Sequence, residues 1–163
     1  MTKHKGQPGK DQALEVPPST AQGKRSDAVA PGRLSEQMRR RHVLIINRDA
    51  ALLEGTRALL QDERYNVTTT SLVPTTTAMI TALAPDVLVV DLALDEPELW
   101  RFVERLASAP WLRKIPVIFT AADPAMLQRA NRIEHQGGGR FEFLRPFRPA
   151  DLVDCVHALI GPA

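Results

Sequence analysis

The sequence predicts an α/β domain built on a five-stranded parallel sheet, and three observations predict it. Short apolar runs of four or five residues, rich in β-branched side chains, recur from His42 onward and are too short for helices. Each is followed by a longer segment whose apolar residues fall at helical spacing. The central run, Val87 to Val90, is apolar at every position, as in a strand covered on both faces. Strands alternating with helices call for right-handed crossovers that place helices on both faces of the sheet.

The elements follow in order. His42-Val-Leu-Ile-Ile46 reads as the first strand. Asp49 can cap the helix after it, in which Leu52, Leu53, Thr56, Leu59 and Leu60 recur at helical spacing. Tyr65 to Thr70 is rich in strand formers and reads as the second strand. Pro74 fits the first turn of a second helix running to about Ala84, with Met79, Ile80 and Leu83 on one face, and Pro85-Asp86 breaks it. Val87 to Val90 is the third strand, ending at Asp91. Pro97 opens a third helix with Leu99, Phe102, Val103 and Leu106 inward. Ile115 to Phe119 is the fourth strand. Asp123-Pro124 is a cap with proline at the first helical position, and that helix runs to about Gln136 before Gly137-Gly-Gly139 stops it. Phe141 to Leu144 is the fifth strand, and Pro149 opens a last helix carrying Leu152, Val153, Val156, Leu159 and Ile160. The count is (βα)₅, a doubly wound sheet. It fits the flavodoxin-like strand order 2-1-3-4-5, whose ligand crevice lies at the carboxyl ends of strands 1 and 3.

Composition narrows the class. The chain has 163 residues, 44% hydrophobic and 25% charged, which excludes collagen-like, coiled-coil and wholly disordered readings. A single cysteine, Cys155, excludes a disulfide framework or a cysteine-based zinc site within one chain. No apolar run approaches the roughly 18 residues of a membrane helix, and the basic start MTKHKGQPGK has no apolar stretch behind it. These features lead to the expectation of a cytoplasmic protein without a membrane partner. Residues 1–40 hold eight basic and four acidic residues, four Pro, four Gly and no aromatic residue. Such a segment cannot bury enough apolar surface to offset its chain entropy, so 1–40 is expected to be a disordered basic tail and 41–161 the domain.

The crevice rule points to the residues after Ile46, Val90 and Phe119. There, Val43-Leu-Ile-Ile46, Pro85-Asp-Val-Leu-Val-Val-Asp91-Leu92, Ile115-Pro-Val-Ile-Phe119 and Phe143-Leu-Arg-Pro-Phe147 together resemble the receiver domain of response regulators, the CheY-like fold. The resemblance covers about residues 41–161. It implies that Asp91 stands where the family's aspartate accepts a phosphoryl group from a histidine kinase, a chemistry that needs a carboxylate nucleophile and charge compensation.

The same resemblance shows a degraded pocket. Asn47 and Arg48 stand where the family has two acidic metal ligands, and Asp49, one residue further on, suits the helix cap better. The backbone carbonyl of Ala93 matches the family's carbonyl ligand. Magnesium is therefore expected to bind weakly at most, through Asp91 and Ala93 alone. Arg145, before Pro146, replaces the family's lysine, and an Arg is a planar fork rather than a point charge. The family's hydroxyl residue at the end of strand 4 corresponds either to Thr120 or to Ala121, which has no hydroxyl. Glu142 occupies the aromatic switch position, and Asp95 and Leu99 replace the loop's usual proline and glycine. Arg48 or Arg145 is expected to pair with Asp91, depress its pKa and lock the site.

Other motifs carry less. Gly137-Gly-Gly139 follows a helix and lacks a Gly-Lys-Ser/Thr continuation, so it is a helix stop rather than a phosphate loop. An aspartate-based phosphatase would need an acid at Ala93. His42, His135 and His157 show no metal spacing, Cys155 reads as a small core residue, and Trp100 and Trp111 read as packing residues. The reading is a non-enzymatic, stand-alone receiver-type module in phosphorelay signalling. Its partners would be a histidine kinase or a downstream signalling protein, with a homodimer admitted. The alternative is a phosphorylation-independent pseudo-receiver acting as an adaptor. A nucleic-acid binder using the basic tail is the weakest reading.

Removal of residues 1–36 is expected to lower the melting temperature by less than about 4 °C, near 1 kcal/mol for a domain of this size. A melt of the full chain beside one starting at Gln37 measures it, and a larger drop means that the tail packs on the domain.

Overall fold

Five short strands form one sheet that is parallel throughout. In the computed structural model, residues 39–72, 74–93, 96–144 and 148–163 are described. The strands are β1 (His42–Ile46), β2 (Asn66–Thr70), β3 (Val87–Asp91), β4 (Val117–Thr120) and β5 (Phe141–Leu144), and their order is β2-β1-β3-β4-β5. The helices are α1 (Ala50–Asp62), α2 (Thr76–Leu83), α3 (Pro97–Ser108), α4 (Pro124–Gly137) and α5 (Pro149–Ile160). This is the doubly wound arrangement and strand order that the sequence predicts.

Alternation along the strands divides the core in two. Leu44, Ile46, Leu88, Val90, Val117 and Phe119 pack with Ile80 of α2, Leu99, Phe102, Val103 and Leu106 of α3 and Leu127 of α4. Val43, Ile45, Val87, Val89 and Ile118 pack on the other face with Leu60 of α1 and Leu152 and Val156 of α5. Phe119 carries Phe141 edge-on and Phe143 stacked, which ties β5 to β4. Trp100 is buried, with Arg129 of α4 over its ring at 4.1 Å, whereas Trp111 is largely exposed. Cys155 is half-buried on α5. Burial, with Glu142 adding, pushes its thiol up to about 11, so it is no nucleophile at neutral pH.

Several boundaries differ from the sequence reading. The second helix starts at Thr76 rather than Pro74, which lies in the turn before it. Leu52 is exposed, and Ala84 ends α2 in the left-handed region with φ 43°. The fourth strand starts at Val117, not Ile115, because Leu112–Lys114 form a 3₁₀ turn closed by the Ile115 amide on the Leu112 carbonyl. β2 starts one residue late because the Tyr65 amide still donates to Leu60, while its hydroxyl donates to the Gly161 carbonyl at 2.7 Å. His42 is buried, with Nε2 at 2.9 Å from Thr68 Oγ1.

The end of the sheet away from the crevice is anchored by Asp86. Its Oδ2 accepts the His42 amide at 2.7 Å, and Arg39 and Arg41 each approach it at 3.5 Å. Among the described residues, Arg39, two positions before the expected boundary at 41, already contacts the domain. Residues 1–38 lie outside the described residues.

The glycine run does two jobs. Gly138 ends α4 with φ 75°, the helix stop the sequence suggests. Gly137, still helical, packs against α3 so closely that a Cβ there would meet Ala107 Cβ at 2.9 Å and its carbonyl oxygen at 3.0 Å. Gly137→Ala is expected to destabilise the domain by about 1–3 kcal/mol through overpacking. Urea unfolding measures this, and a neutral or stabilising result would contradict the close approach of α3 and α4.

Candidate functional site

Polar residues first appear where the strands leave their helical cover. Asp91 ends β3, and Thr120 ends β4 directly opposite it in the register. Continuing the alternation of Val87 and Val89, Asp91 shares its side of the sheet with Ile45, Asn47, Leu53, Thr56 and Thr120, which line one small cavity. Thr120 Oγ1 donates to Asp91 Oδ1 at 3.1 Å. The open question between Thr120 and Ala121 is thus resolved for Thr120. The strand is one residue longer than its apolar run, and Ala121 is buried beyond it.

The loop after β1 is held by its own side chains. Asn47 is buried; its amide donates to the Thr70 carbonyl at 3.0 Å, and its Oδ1 accepts the Asp49 amide at 2.8 Å. Asp49 is the N-cap of α1, its Oδ1 accepting from the Ala51 and Leu52 amides at 2.9 and 3.1 Å. The Asp49 cap is the one the sequence suggests.

Arg48 departs from the sequence reading. Its Nη1 donates to Glu96 Oε1 at 2.6 Å, not to Asp91. Arg48 lines a small cavity that Asn47, Asp91 and Glu96 also line, and Glu96 is the carboxylate its guanidinium engages there. Sharing an edge and a cavity with Asp91 does not make it the partner of Asp91. Glu96 stands at the N-cap of α3 but makes no capping hydrogen bond there, its carboxylate being engaged by Arg48. Arg145 and Pro146, the other half of the expected lock, lie outside the described residues, as does Asp95.

The electrostatics follow from that displacement. Asp91 is pushed above its ordinary value of 3.8, first by burial. The Thr120 hydrogen bond opposes this, the Asp49 carboxylate adds to it, and the Leu92 amide opposes it. The expected depression by a guanidinium is therefore reversed in sign. The carboxylate also opens on a groove of about 450 Å³ lined by Leu52, Ala93, Thr120, Ala121, Asp123 and Met126, with no cation among the described residues that line it.

The donor set does not fit a magnesium ion, which asks for near-octahedral oxygen ligands. Asn47 and Asp49 already accept backbone amides, Glu96 holds Arg48, and a guanidinium stands where the family has an acid. Among the described residues no three His, Cys, Asp or Glu side chains are grouped to hold a metal.

Solved structures share this architecture. CheY4, a chemotaxis response regulator of Vibrio cholerae, is 16% identical with a TM-score of 0.61, the match covering 74% of this chain and 99% of that one. The signal receiver domain of a response regulator from Bermanella marisrubri is 18% identical at 0.63, covering 75% and 99%. A CheY-like receiver domain protein from Methanospirillum hungatei is 21% identical at 0.60, covering 74% and 93%. The fold is the receiver fold. No protein-family model matches the chain, and no curated protein matches it. Against the receiver fold, Asp91 and Thr120 are the pocket residues brought into contact, and Asn47, Arg48 and Asp49 are turned to other partners. Glu96 is the pocket residue that sequence reasoning missed. Its only signal was an acidic residue immediately before Pro97. No helix among the described residues is long and apolar enough to cross a membrane.

Two outcomes are expected. A magnesium titration followed by the amide shifts of residues 91–93 shows no saturation below about 1 mM, where charged oxygen sites bind; saturation there would overturn the metal argument. Asp91→Asn costs less than about 1 kcal/mol at pH 7, not the 3–5 kcal/mol of a broken buried pair. A raised folded pKa contributes stability that is present below 3.8 and lost as pH rises through the folded value. Any advantage of the variant should therefore shrink on acidification. Urea unfolding at pH 7 and pH 4 measures both signs.

Proposed function

We propose that this chain is a receiver-type signalling module of two-component phosphorelays, with Asp91 at the phosphoacceptor position. The observation that carries the reading is the Asp91 carboxylate at the carboxyl end of the central strand, in contact with the Thr120 hydroxyl of the adjacent strand. The receiver fold supports it, since the switch point of this strand order is where such sheets bind ligands. Asp91 also faces the open groove rather than an arginine of the described residues.

The reaction is a phosphoryl transfer to a carboxylate. A carboxylate oxygen of Asp91 attacks phosphorus of a phosphohistidine on a partner kinase or of acetyl phosphate. The bond from phosphorus to the imidazole nitrogen or to the acetate oxygen breaks, that group leaves with its electron pair, and an acyl phosphate remains on Asp91. Thr120 is placed to donate to an oxygen of the transferred group once it stops donating to the free carboxylate. The partner is a histidine kinase or a downstream signalling protein that reads the face around the pocket.

A second reading is favoured by the residues at 47–49: a pseudo-receiver that works as a protein-binding adaptor without phosphorylation. Asn47, Arg48 and Asp49 supply no free acid pair. Intact-mass measurement after acetyl phosphate decides between the two. A phosphoryl adduct on wild type, absent in Asp91→Asn, is expected. A wild type that stays unlabelled over hours gives the adaptor reading precedence.

A further inference from the structure

The pocket has a cation, and it is held away from Asp91. Arg48 and Asp91 line the same cavity of about 30 Å³, together with Glu96. That space holds about two waters and not a phosphoryl group with its three oxygens. The groove on the other side of Asp91 has the room but brings only carboxylates, Asp91 and Asp123. An oxyanion arriving at Asp91 therefore meets negative charge from Asp91, Asp49 and Asp123. Among the described residues that line these two spaces, one guanidinium can offset it.

We propose that the Arg48–Glu96 ion pair is a displaceable strap, and that Arg48 is the charge-compensating group for a phosphate-class oxyanion at Asp91. This rests on the reading of Asp91 as the phosphoacceptor position. At rest, Glu96 Oε1 accepts from Arg48 Nη1 at 2.6 Å, with the two side chains 49% and 34% exposed. An ion pair that exposed is weak enough to exchange partners. A guanidinium also matches a phosphoryl group in bidentate geometry, which makes such a group a competitor for Glu96. When the anion takes Arg48, the link from the β1–α1 loop to the N-cap of α3 is released. Occupancy of the pocket is thereby coupled to the start of a surface helix without a metal ion and without an aromatic at position 142.

The test compares full-length wild type, Glu96→Gln, Arg48→Gln and the double variant, all with EDTA present. Inorganic phosphate is titrated and followed by the amide shifts of residues 91–93. Glu96→Gln is expected to bind phosphate about three- to fivefold more tightly than wild type, the range an exposed ion pair supports. Arg48→Gln is expected to bind about tenfold more weakly. The double variant should match Arg48→Gln, because removing Glu96 helps only while Arg48 is there to be freed. An equal gain from Glu96→Gln in both backgrounds would reduce Glu96 to bulk negative charge and overturn the strap. Equal affinities in all four proteins, or no saturable binding in any, would overturn it as well. Acetyl phosphate labelling of the same four proteins separates this from the underlying reading. Equal labelling of Asp91 in all four keeps the phosphoacceptor and removes the strap. The expected phosphate pattern with no adduct in any protein keeps the strap and removes the phosphoacceptor.

Discussion

The structure depends on the period of two along strands that are covered on both faces. β3 runs from Val87 to Val90 with every side chain buried, because successive residues enter opposite cores. No polar group can be placed there without a partner, so polar chemistry is pushed to the strand ends. At one end Asp86 collects the His42 amide and two arginines, and at the other Asp91 receives the Thr120 hydroxyl. One aspartate closes the sheet and the other opens the site. They are separated only by the length of a five-residue strand.

The electrostatics of the site are decided just beyond the strands. Asn47, Arg48, Asp91 and Glu96 line one small cavity there. Asn47 then turns inward on the loop, Asp49 caps α1, and Arg48 finds Glu96. Each of these residues satisfies a local need. The consequence is a carboxylate with burial and a neighbouring acid on one side of the balance and two hydrogen bonds on the other. Burial prevails, and the group is raised rather than depressed.

Close packing sets how far the helices can yield. α3 and α4 meet at Gly137 and Ala107 with no room for a methyl group, and Arg129 of α4 lies over Trp100 of α3. α3 is thus gripped by α4, while its N-cap Glu96 is tied to Arg48. A change at that N-cap acts against a helix that is otherwise firmly seated. This makes the start of α3 a place where a pocket event can be felt at the surface.

The sequence by itself determined the architecture. Five short apolar runs separated by amphipathic segments specify a covered parallel sheet, since a run like Val87 to Val90 has no other way to bury every side chain. It also determined Asp91 as the end of the central strand and Asp49 as a cap, because these depend on residue type and spacing. Boundaries such as Thr76 and Val117 were less legible, since a right-handed or 3₁₀ turn next to an element leaves little trace in the apolar pattern. Only the tertiary structure decided which charges meet. Spacing placed Arg48 on the right edge of the sheet. Its partner was set by what the distant residue Glu96 offers in the cavity they share. A pairing 48 positions apart is a property of the packed sheet, with no local pattern to announce it.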